Sequence, residues 1–386
     1  MNDTSLCFLT AVELVEKIVS GEISAEETME AHLAQIEKVN PQVNAIVTLL
    51  PERAIEEARK VDEKFVKGVS TNPLHGLPVA HKDLVQTKGV RTTFGSLIFK
   101  DFIPKKDALL VERLRKAGAI MIGKTNTPEF GAGSQTFNKV FGETRNPYDL
   151  SKTCGGSSGG AAVSVACRML PLADGSDLGG SLRNPTNFCN VVGFRPSVGR
   201  VPSWPNESGW DSFAVDGPIA RTVKDTALMM SVLAGPDLRC PISLPESGNL
   251  FRDPLEKNLK GVKIAWSSNL GGLPVDTRVI ETLEEHLRVF EDLGCIVEEG
   301  FPDFSDADEI FKTFRAWFYE LKFGSLLKEH RGKMKDTVVW NIEYGRKILG
   351  KELGEMEVKR TALFRRVIEF MSDYDFLALP VSQVPP

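Results

Sequence analysis

The sequence Cys154-Gly-Gly-Ser-Ser-Gly-Gly160 is followed, after a helix-like segment, by Asp174-Gly-Ser-Asp-Leu-Gly-Gly-Ser-Leu-Arg183. Residues 155–199 hold nine of the 33 glycines of the chain, so backbone geometry is important there. Glycines directly before Ser181 allow successive backbone N–H groups to converge on one point. Convergent N–H donors are what an oxyanion hole needs to stabilise a tetrahedral acyl intermediate. Two serines in glycine-rich turns, Ser157 and Ser181, therefore indicate acyl chemistry.

Outward from these turns, short apolar runs alternate with helical patterns. This alternation predicts an α/β fold. The predicted strands are 79–84, 119–122, 262–266 and 295–299, and the predicted helices are 108–116, 222–233 and 277–293. No domain linker is evident, which favours one domain of 1–386, with a helical region 1–70, a core 71–235 and a variable region 236–386.

The two ends of the chain have patterns of their own. Thr10 is predicted to cap a helix 11–19 that stops at Gly21, and Ser24 with Glu27 forms a capping box for a second helix, 25–39. Residues 306–374 read as mainly helical, and 376–381 as a buried strand. The charged residues of helices 11–19, 25–39 and 277–293 are interpreted as solvated faces.

Composition excludes several classes of protein. The 386 residues are 42% hydrophobic with a formal net charge of −5, typical of a globular protein without general attraction to nucleic acid or anionic membranes. Six scattered cysteines without a CxxC pair indicate a reducing compartment. The N-terminus lacks a signal-peptide pattern, and no apolar run is long enough to span a bilayer. The sequence therefore predicts a cytoplasmic protein.

Two competing motifs receive little support. Residues 118–125 match a phosphate-binding loop literally, but the four intervening residues are apolar and read as a buried strand. The five histidines show no paired metal-ligand spacing, so no metal is predicted. His81 lies on the strand face opposite Lys82, which separates it from that lysine's site.

A serine nucleophile needs a base, and Lys82 is the natural candidate. It lies in residues 79–83, at the end of an apolar strand, where burial would lower its pKa and leave part of the amine neutral. A lysine paired with Asp83 is the alternative explanation, and the spacing alone leaves both open.

Several ordered motifs resemble the amidase signature hydrolases: residues 76–83, 146–148, 155–160, 175–185, 193–200 and 216–225. The resemblance implies a central mixed β-sheet flanked by α-helices, with a helical N-terminal region. It also implies a Ser-Ser-Lys triad in which Ser181 attacks an amide carbonyl, Ser157 relays the proton next to a cis peptide bond, and Lys82 accepts it. No cofactor is implied, and the expected partner is a small-molecule amide substrate.

The same resemblance implies further site residues. It gives the oxyanion hole to the N–H groups of Leu178, Gly179, Gly180 and Ser181, and part of the pocket to residues 131–134, including Gly131 and Ser134. Asp177 and Arg183 are expected to support the turn. Ser158 is then a structural neighbour and Cys154 a packing residue.

The sequence also departs from the family pattern. Ser176 stands where threonine is common, Arg195 where lysine is common, and Asn190 replaces a frequent glycine. Family members continue beyond the equivalent of 377–380, so this chain is expected to lack their C-terminal segment. The predicted function is hydrolysis of a small or aryl carboxylic amide. The alternatives are a truncated, catalytically impaired homologue and the amidase subunit of a tRNA-dependent amidotransferase. The particular amide and the oligomeric state, including a homo-oligomer, stay open.

Overall fold

The computed structural model describes residues 4–68 and 71–386. Their contacts group into two compact units, one that runs to Leu255 and includes Pro386, and one from Glu256 to Pro385. This grouping does not decide whether the chain behaves as one domain, so the single-domain organisation stays a prediction.

The first unit contains a six-stranded mixed sheet and the helices that cover it. Its helices are α1 (Ala11–Ser20), α2 (Ala25–Val43), α3 (Pro51–Val66), α4 (Leu109–Lys116), α5 (Gly159–Ala166), α6 (Arg183–Phe188) and α7 (Val223–Leu233). Its strands are β1 (Ile46–Leu49), β2 (Pro78–Lys82), β3 (Ile120–Thr125), β4 (Phe137–Asn138), β5 (Gly142–Glu143), β6 (Leu172–Asp177), β7 (Val192–Gly193) and β8 (Val215–Ala220). The strand order in the main sheet is β1-β3-β2-β6-β8-β7, while β4 and β5 form a separate ribbon.

The central strands β3, β2 and β6 run parallel to one another. Strand β1 pairs antiparallel with β3, β8 pairs antiparallel with β6, and β7 pairs antiparallel with β8. Alternate residues of β2 and β6 enter different core clusters. Ala80 and Ala173 pack with α2, α3 and α5, while Val79 and Leu172 pack with α1, α4 and α7. The sheet therefore buries both faces, as an α/β fold requires, and the predicted fold class is confirmed.

The local helix signals at the N-terminus are confirmed. Thr10 and Ser24 each form a capping box, with Glu13 and Glu27 respectively. Gly21 ends α1 with φ of +75°, a left-handed conformation that glycine adopts without steric cost. Helix α2 continues to Val43, four residues beyond its predicted end.

The second unit carries a three-stranded parallel sheet and five helices. Its strands are β9 (Lys263–Trp266), β10 (Ile296–Glu299) and β11 (Phe376–Ala378), in the order β10-β9-β11. Its helices are α8 (Thr277–Glu284), α9 (Arg288–Asp292), α10 (Ala307–His330), α11 (Asp336–Gly345) and α12 (Gly350–Met371). Short 3₁₀ helices span Ser5–Phe8, Leu97–Phe99, Glu129–Gly131 and Gly248–Arg252 in the first unit and Arg331–Lys333 in the second.

Two predicted elements of this unit were wrong in detail. The helix predicted over 277–293 is split by a turn at 285–287, where no glycine or proline gives a local signal of the break. The strand predicted over 376–381 is limited to β11, an edge strand of its sheet, and it is not buried, since Phe376 is 58% exposed. Among the helices of the described residues, none combines the length and apolar character needed to cross a membrane.

Candidate active site

Lys82 ends strand β2 and has no exposed surface. Its Nζ atom lies 2.7 Å from Ser157 Oγ and 2.9 Å from Ser158 Oγ. A third hydroxyl, Ser176 Oγ, is 3.0 Å away. The buried amine is thus surrounded by hydroxyl groups, each of which can either donate or accept a hydrogen bond.

Burial lowers the pKa of Lys82 to about 7, because the charged ammonium loses its hydration. The negative charges of Asp216, Asp177 and Asp174 act in the opposite direction and limit the shift. Near neutral pH the amine is therefore present in both protonation states. This is the condition that a general base needs, since its neutral form must be populated and still basic enough to take a proton.

Glycines bring the Ser157 turn close to the sheet. Helix α5 begins at Gly159, and a Cβ atom added to Gly160 would lie 2.3 Å from the backbone nitrogen of Asn126. No larger residue fits such an approach. The peptide bond between Gly156 and Ser157 is cis. The glycine-rich sequence therefore packs the turn that carries Ser157 directly against the strand next to Lys82.

The turn that carries Ser181 follows strand β6 and is organised by Asp177, which is fully buried. One carboxylate oxygen of Asp177 accepts the N–H of Gly180 at 2.8 Å, and the other accepts the N–H of Leu182 at 3.1 Å. The guanidinium of Arg183 donates to both oxygens, at 3.0 and 3.1 Å. The carboxylate thus holds both ends of the turn.

Arg195 is a second cationic partner of Asp177. Its Nη1 atom donates to a carboxylate oxygen at 2.9 Å and also to the backbone carbonyl of Asp177, while Nη2 donates to the carbonyl of Phe213 at 3.0 Å. Burial alone would raise the pKa of Asp177, but the hydrogen bonds and charge of Arg183, the Gly180 N–H and the charge of Arg195 lower it below its ordinary value. Asp177 is therefore held as a carboxylate.

The predicted nucleophile is not joined to the relay serine by a hydrogen bond. Across residues 4–68 and 71–386, the Ser181 hydroxyl has no hydrogen-bond partner, and its side chain is only partly buried. The N–H of Gly180 already donates to Asp177, whereas the N–H groups of Gly179 and Ser181 have no partner within the described chain. The oxyanion hole assigned to the N–H groups of residues 178–181 stays a prediction, and the N–H of Gly180 is bonded to Asp177 in this structure.

The predicted pocket residues differ in position. Gly131 has φ of +71°, and a Cβ atom built on it would lie 3.6 Å from Ser157 Oγ. The backbone at 131 therefore faces the hydroxyl that contacts Lys82. Ser134 is exposed and makes no hydrogen bond in the described part of the chain. Its role in substrate binding stays a prediction.

Neighbouring polar residues have other partners. His81 Nδ1 lies 2.6 Å from Asp174 Oδ1, and the N–H of Lys82 donates to the other oxygen of that carboxylate. Asp83 accepts the N–H of Thr93 instead of pairing with Lys82, which excludes the alternative Lys82–Asp83 pair. The phosphate-loop pattern of 118–125 is occupied by the buried strand β3, so the expectation against nucleotide binding there agrees with the fold.

Sequence reasoning missed three residues of this site. The sequence indicates Ser158 only as a structural neighbour and Ser176 only as a mild departure from the family pattern, yet both hydroxyls contact the Lys82 amine. Arg195 is likewise only a departure from the family pattern at the level of sequence, although it shares Asp177 with Arg183. The available signal was their position inside the glycine-rich motifs.

Comparisons with known proteins identify the family and the fold of the chain. A family model described as Amidase matches residues 27–386. An acylamidase from Rhodococcus erythropolis is 35% identical over 385 residues, which cover 98% of this chain and 80% of that protein. A glutamyl-tRNA(Gln) amidotransferase subunit from Carboxydothermus hydrogenoformans is 42% identical over 294 residues, 76% of this chain and 61% of that protein. The crystal structure of a bacterial aryl acylamidase of the amidase signature enzymes has a TM-score of 0.92 at 30% identity, covering 98% of this chain and 81% of that one.

Proposed function

The chain belongs to the Amidase family of amide-hydrolysing enzymes, and we propose that it cleaves the C–N bond of a small or aryl carboxylic amide through an acyl-enzyme on Ser181. The observation that carries the proposal is the contact between the buried Lys82 amine and the Ser157 hydroxyl, 2.7 Å apart. A base with a pKa of about 7 next to a relay hydroxyl is suited to activating a serine at neutral pH.

In the first half-reaction, Ser181 Oγ forms a bond to the carbonyl carbon and the π-electron pair moves to the carbonyl oxygen. The Ser181 proton passes to Ser157 Oγ while the Ser157 proton passes to Lys82 Nζ. The N–H groups of Gly179 and Ser181, which have no partner among the described residues, lie in the nucleophile turn and can donate to the oxyanion. The turn keeps this geometry because Asp177 binds backbone N–H groups on either side of Ser181.

Collapse of the tetrahedral intermediate breaks the C–N bond, and the leaving amine takes a proton from Ser157, which regains one from Lys82. Water then attacks the acyl carbon and gives a proton through Ser157 to Lys82, forming a second tetrahedral intermediate. The bond between the carbonyl carbon and Ser181 Oγ breaks, Ser181 Oγ takes the proton back through the relay, and the carboxylic acid leaves. The hydroxyl of Ser157 separates Lys82 from Ser181 in this scheme. The nucleophile therefore has no cationic side chain next to it before the reaction.

The substrate class rests on the relatives. The Rhodococcus relative is named an acylamidase and the solved neighbour an aryl acylamidase, and each alignment covers 98% of this chain. An anilide or a small primary amide is therefore the first substrate to test.

A second candidate is the amidase component of a tRNA-dependent amidotransferase. The observation in its favour is the 42% identity to the Carboxydothermus amidotransferase subunit over 294 residues. That alignment spans less of this chain than the acylamidase alignment does. Stable co-purification with partner subunits, and turnover only in their presence, would favour this candidate.

The test is release of aniline or ammonia from an anilide and from a small primary amide by the purified chain. We expect turnover that Ser181→Ala abolishes and that Ser20→Ala, an exposed serine at the end of α1, leaves unchanged. Hydrolysis that survives in Ser181→Ala would overturn the acyl-enzyme mechanism. Absence of hydrolysis of every amide by folded wild-type protein would overturn the proposed function of the isolated chain.

A further inference from the structure

Asp216 lies on strand β8 directly opposite Ser176 of β6, as Cα partners in an antiparallel pair. Residues that face each other in such a pair project to the same side of the sheet, with Cβ atoms about 4.5–5.5 Å apart. Ser176 Oγ in turn lies 3.0 Å from the Lys82 amine. The sheet register therefore places Asp216 beside Ser176, the residue whose hydroxyl contacts the buried lysine.

We propose that Asp216 is a positioning residue for the base: its carboxylate stabilises the ammonium form of Lys82 and so sets the pH range in which the amine can accept a proton. The inference rests on the proposed function, because it assigns Lys82 the role of base. It concerns a residue that the triad itself does not include.

The other charged groups around Lys82 have identified roles. On β6, Asp174 contacts His81 and the backbone N–H of Lys82, and Asp177 is neutralised by two arginines. In the loop after β2, Asp83 bonds to Thr93, and on β3 the buried Lys124 donates to Thr87. The turn before α5 contributes hydroxyl groups.

Asp216 is the acidic group whose charge acts most strongly on Lys82. Of the three carboxylates that raise the pKa of Lys82 against the lowering effect of burial, Asp216 has the largest effect. An opposite charge within about 4–6 Å shifts a pKa by about 1–3 units. Because Asp216 is only partly buried, water screens it, and the lower end of that range applies.

Removal of the charge has two opposing consequences for catalysis. In Asp216→Asn the amine stays neutral to lower pH, so the acid limb of the rate profile moves down by about one unit. The neutral amine is then also a weaker base. If the proton is about half transferred in the transition state, the maximal rate at high pH falls about threefold. Asp216→Glu keeps the charge and returns the midpoint towards that of wild type.

The test is the pH dependence of the second-order rate of fluorophosphonate labelling, which needs no known substrate. Asp216→Asn, Asp216→Glu and wild type are compared with Glu30→Gln, which removes one exposed charge on α2 and leaves the midpoint unchanged. A fall in rate at every pH without movement of the midpoint would show a merely structural role and overturn the inference.

A second measurement separates this inference from the proposed function. Between a folded pKa of about 7 and an unfolded value of about 10.4, the unfolded chain binds more protons at Lys82, so stability rises with pH. With the folded value lowered by about one unit in Asp216→Asn, its unfolding constant relative to wild type should fall about threefold between pH 6 and 7, as part of a fall of about tenfold from about pH 4 to about pH 9. The same comparison in a Lys82→Met background should show no such change. If the wild type is not labelled, the proposed function fails, but the urea-unfolding comparison still decides the inference. An effect of Asp216→Asn on unfolding with the same pH dependence in the Lys82 and Lys82→Met backgrounds would overturn the inference.

Discussion

The Nζ atom of Lys82 lies 2.7 Å from the hydroxyl oxygen of Ser157, in a position with no exposed surface. Because burial lowers the pKa of Lys82 to about 7, the fraction of neutral amine falls about tenfold for each pH unit below that value. We expect kcat/KM for amide hydrolysis to fall with the same slope on the acid side. A profile that stays flat from pH 5 to 8 would contradict the assignment of Lys82 as base.

Replacement of the base itself should have a larger effect. Lys82→Met retains much of the side-chain volume but has no proton acceptor, so we expect hydrolysis to slow by about 10²–10⁴-fold. The loss should be largest at neutral pH and smaller in strong alkali, where hydroxide can deprotonate the serine. Steady-state rates from pH 6 to 10 would check both points, with circular dichroism as the control for folding.

Ser157 and Ser158 provide a matched pair, since both hydroxyls lie within hydrogen-bond distance of the same amine. The proposed relay passes through Ser157 alone. Ser157→Ala should therefore lower kcat by about 10²–10⁴-fold, whereas Ser158→Ala should lower it by less than about tenfold. Equal losses of kcat in the two variants, or a larger loss in Ser158→Ala, would show that Ser157 is not the relay.

The arginines on Asp177 should differ in their contribution to stability. The side chain of Arg195 is 26% exposed and that of Arg183 48%, and Arg195 also holds two backbone carbonyls. Removal of a partner from a buried ion pair costs about 3–5 kcal/mol, and less where water screens it. Urea unfolding should therefore show a larger loss for Arg195→Met than for Arg183→Met, and the reverse order would contradict the structure.

Cys154 precedes the relay turn but should be chemically inert. Burial raises the pKa of its thiol to about 12, so almost no thiolate is present at neutral pH. We expect iodoacetamide to leave Cys154 unmodified in the folded protein and to alkylate it in urea, as mapped by peptide mass spectrometry. Cys154→Ala should keep most of the activity. Rapid alkylation of folded protein at Cys154, with loss of activity, would be inconsistent with this account.

Features with local signals could be predicted from the sequence. The capping boxes at Thr10 and Ser24 depend on residues three positions apart, and the strand that carries Lys82 has a local signal in the apolar residues that precede it, although its predicted end at 84 lies two residues beyond the observed one. The grouping of Lys82 with Ser157 came from the resemblance of whole motifs, since 75 residues separate them. Sequence spacing alone does not decide between Ser157 and Asp83 as the partner of Lys82.

Features that depend on register between distant strands could not be predicted in this way. Asp216 faces Ser176 because β8 returns antiparallel to β6, and no pattern within either strand specifies that pairing. Arg195 lies in an irregular segment after β7 and contacts Asp177, 18 residues earlier, so no local pattern marks the pair. The exposure of Phe376 was missed for a similar reason, because an apolar run does not indicate which element covers it.

The central claim is that Ser181 is an activated nucleophile, although its hydroxyl has no hydrogen-bond partner in the described residues. Intact-mass spectrometry after exposure to a fluorophosphonate tests this claim most directly, with Ser181→Ala and the exposed-serine variant Ser20→Ala as the matched pair. The account predicts one adduct per chain in wild type and in Ser20→Ala, and none in Ser181→Ala. An adduct that persists in Ser181→Ala, or no adduct in folded wild-type protein, would contradict it.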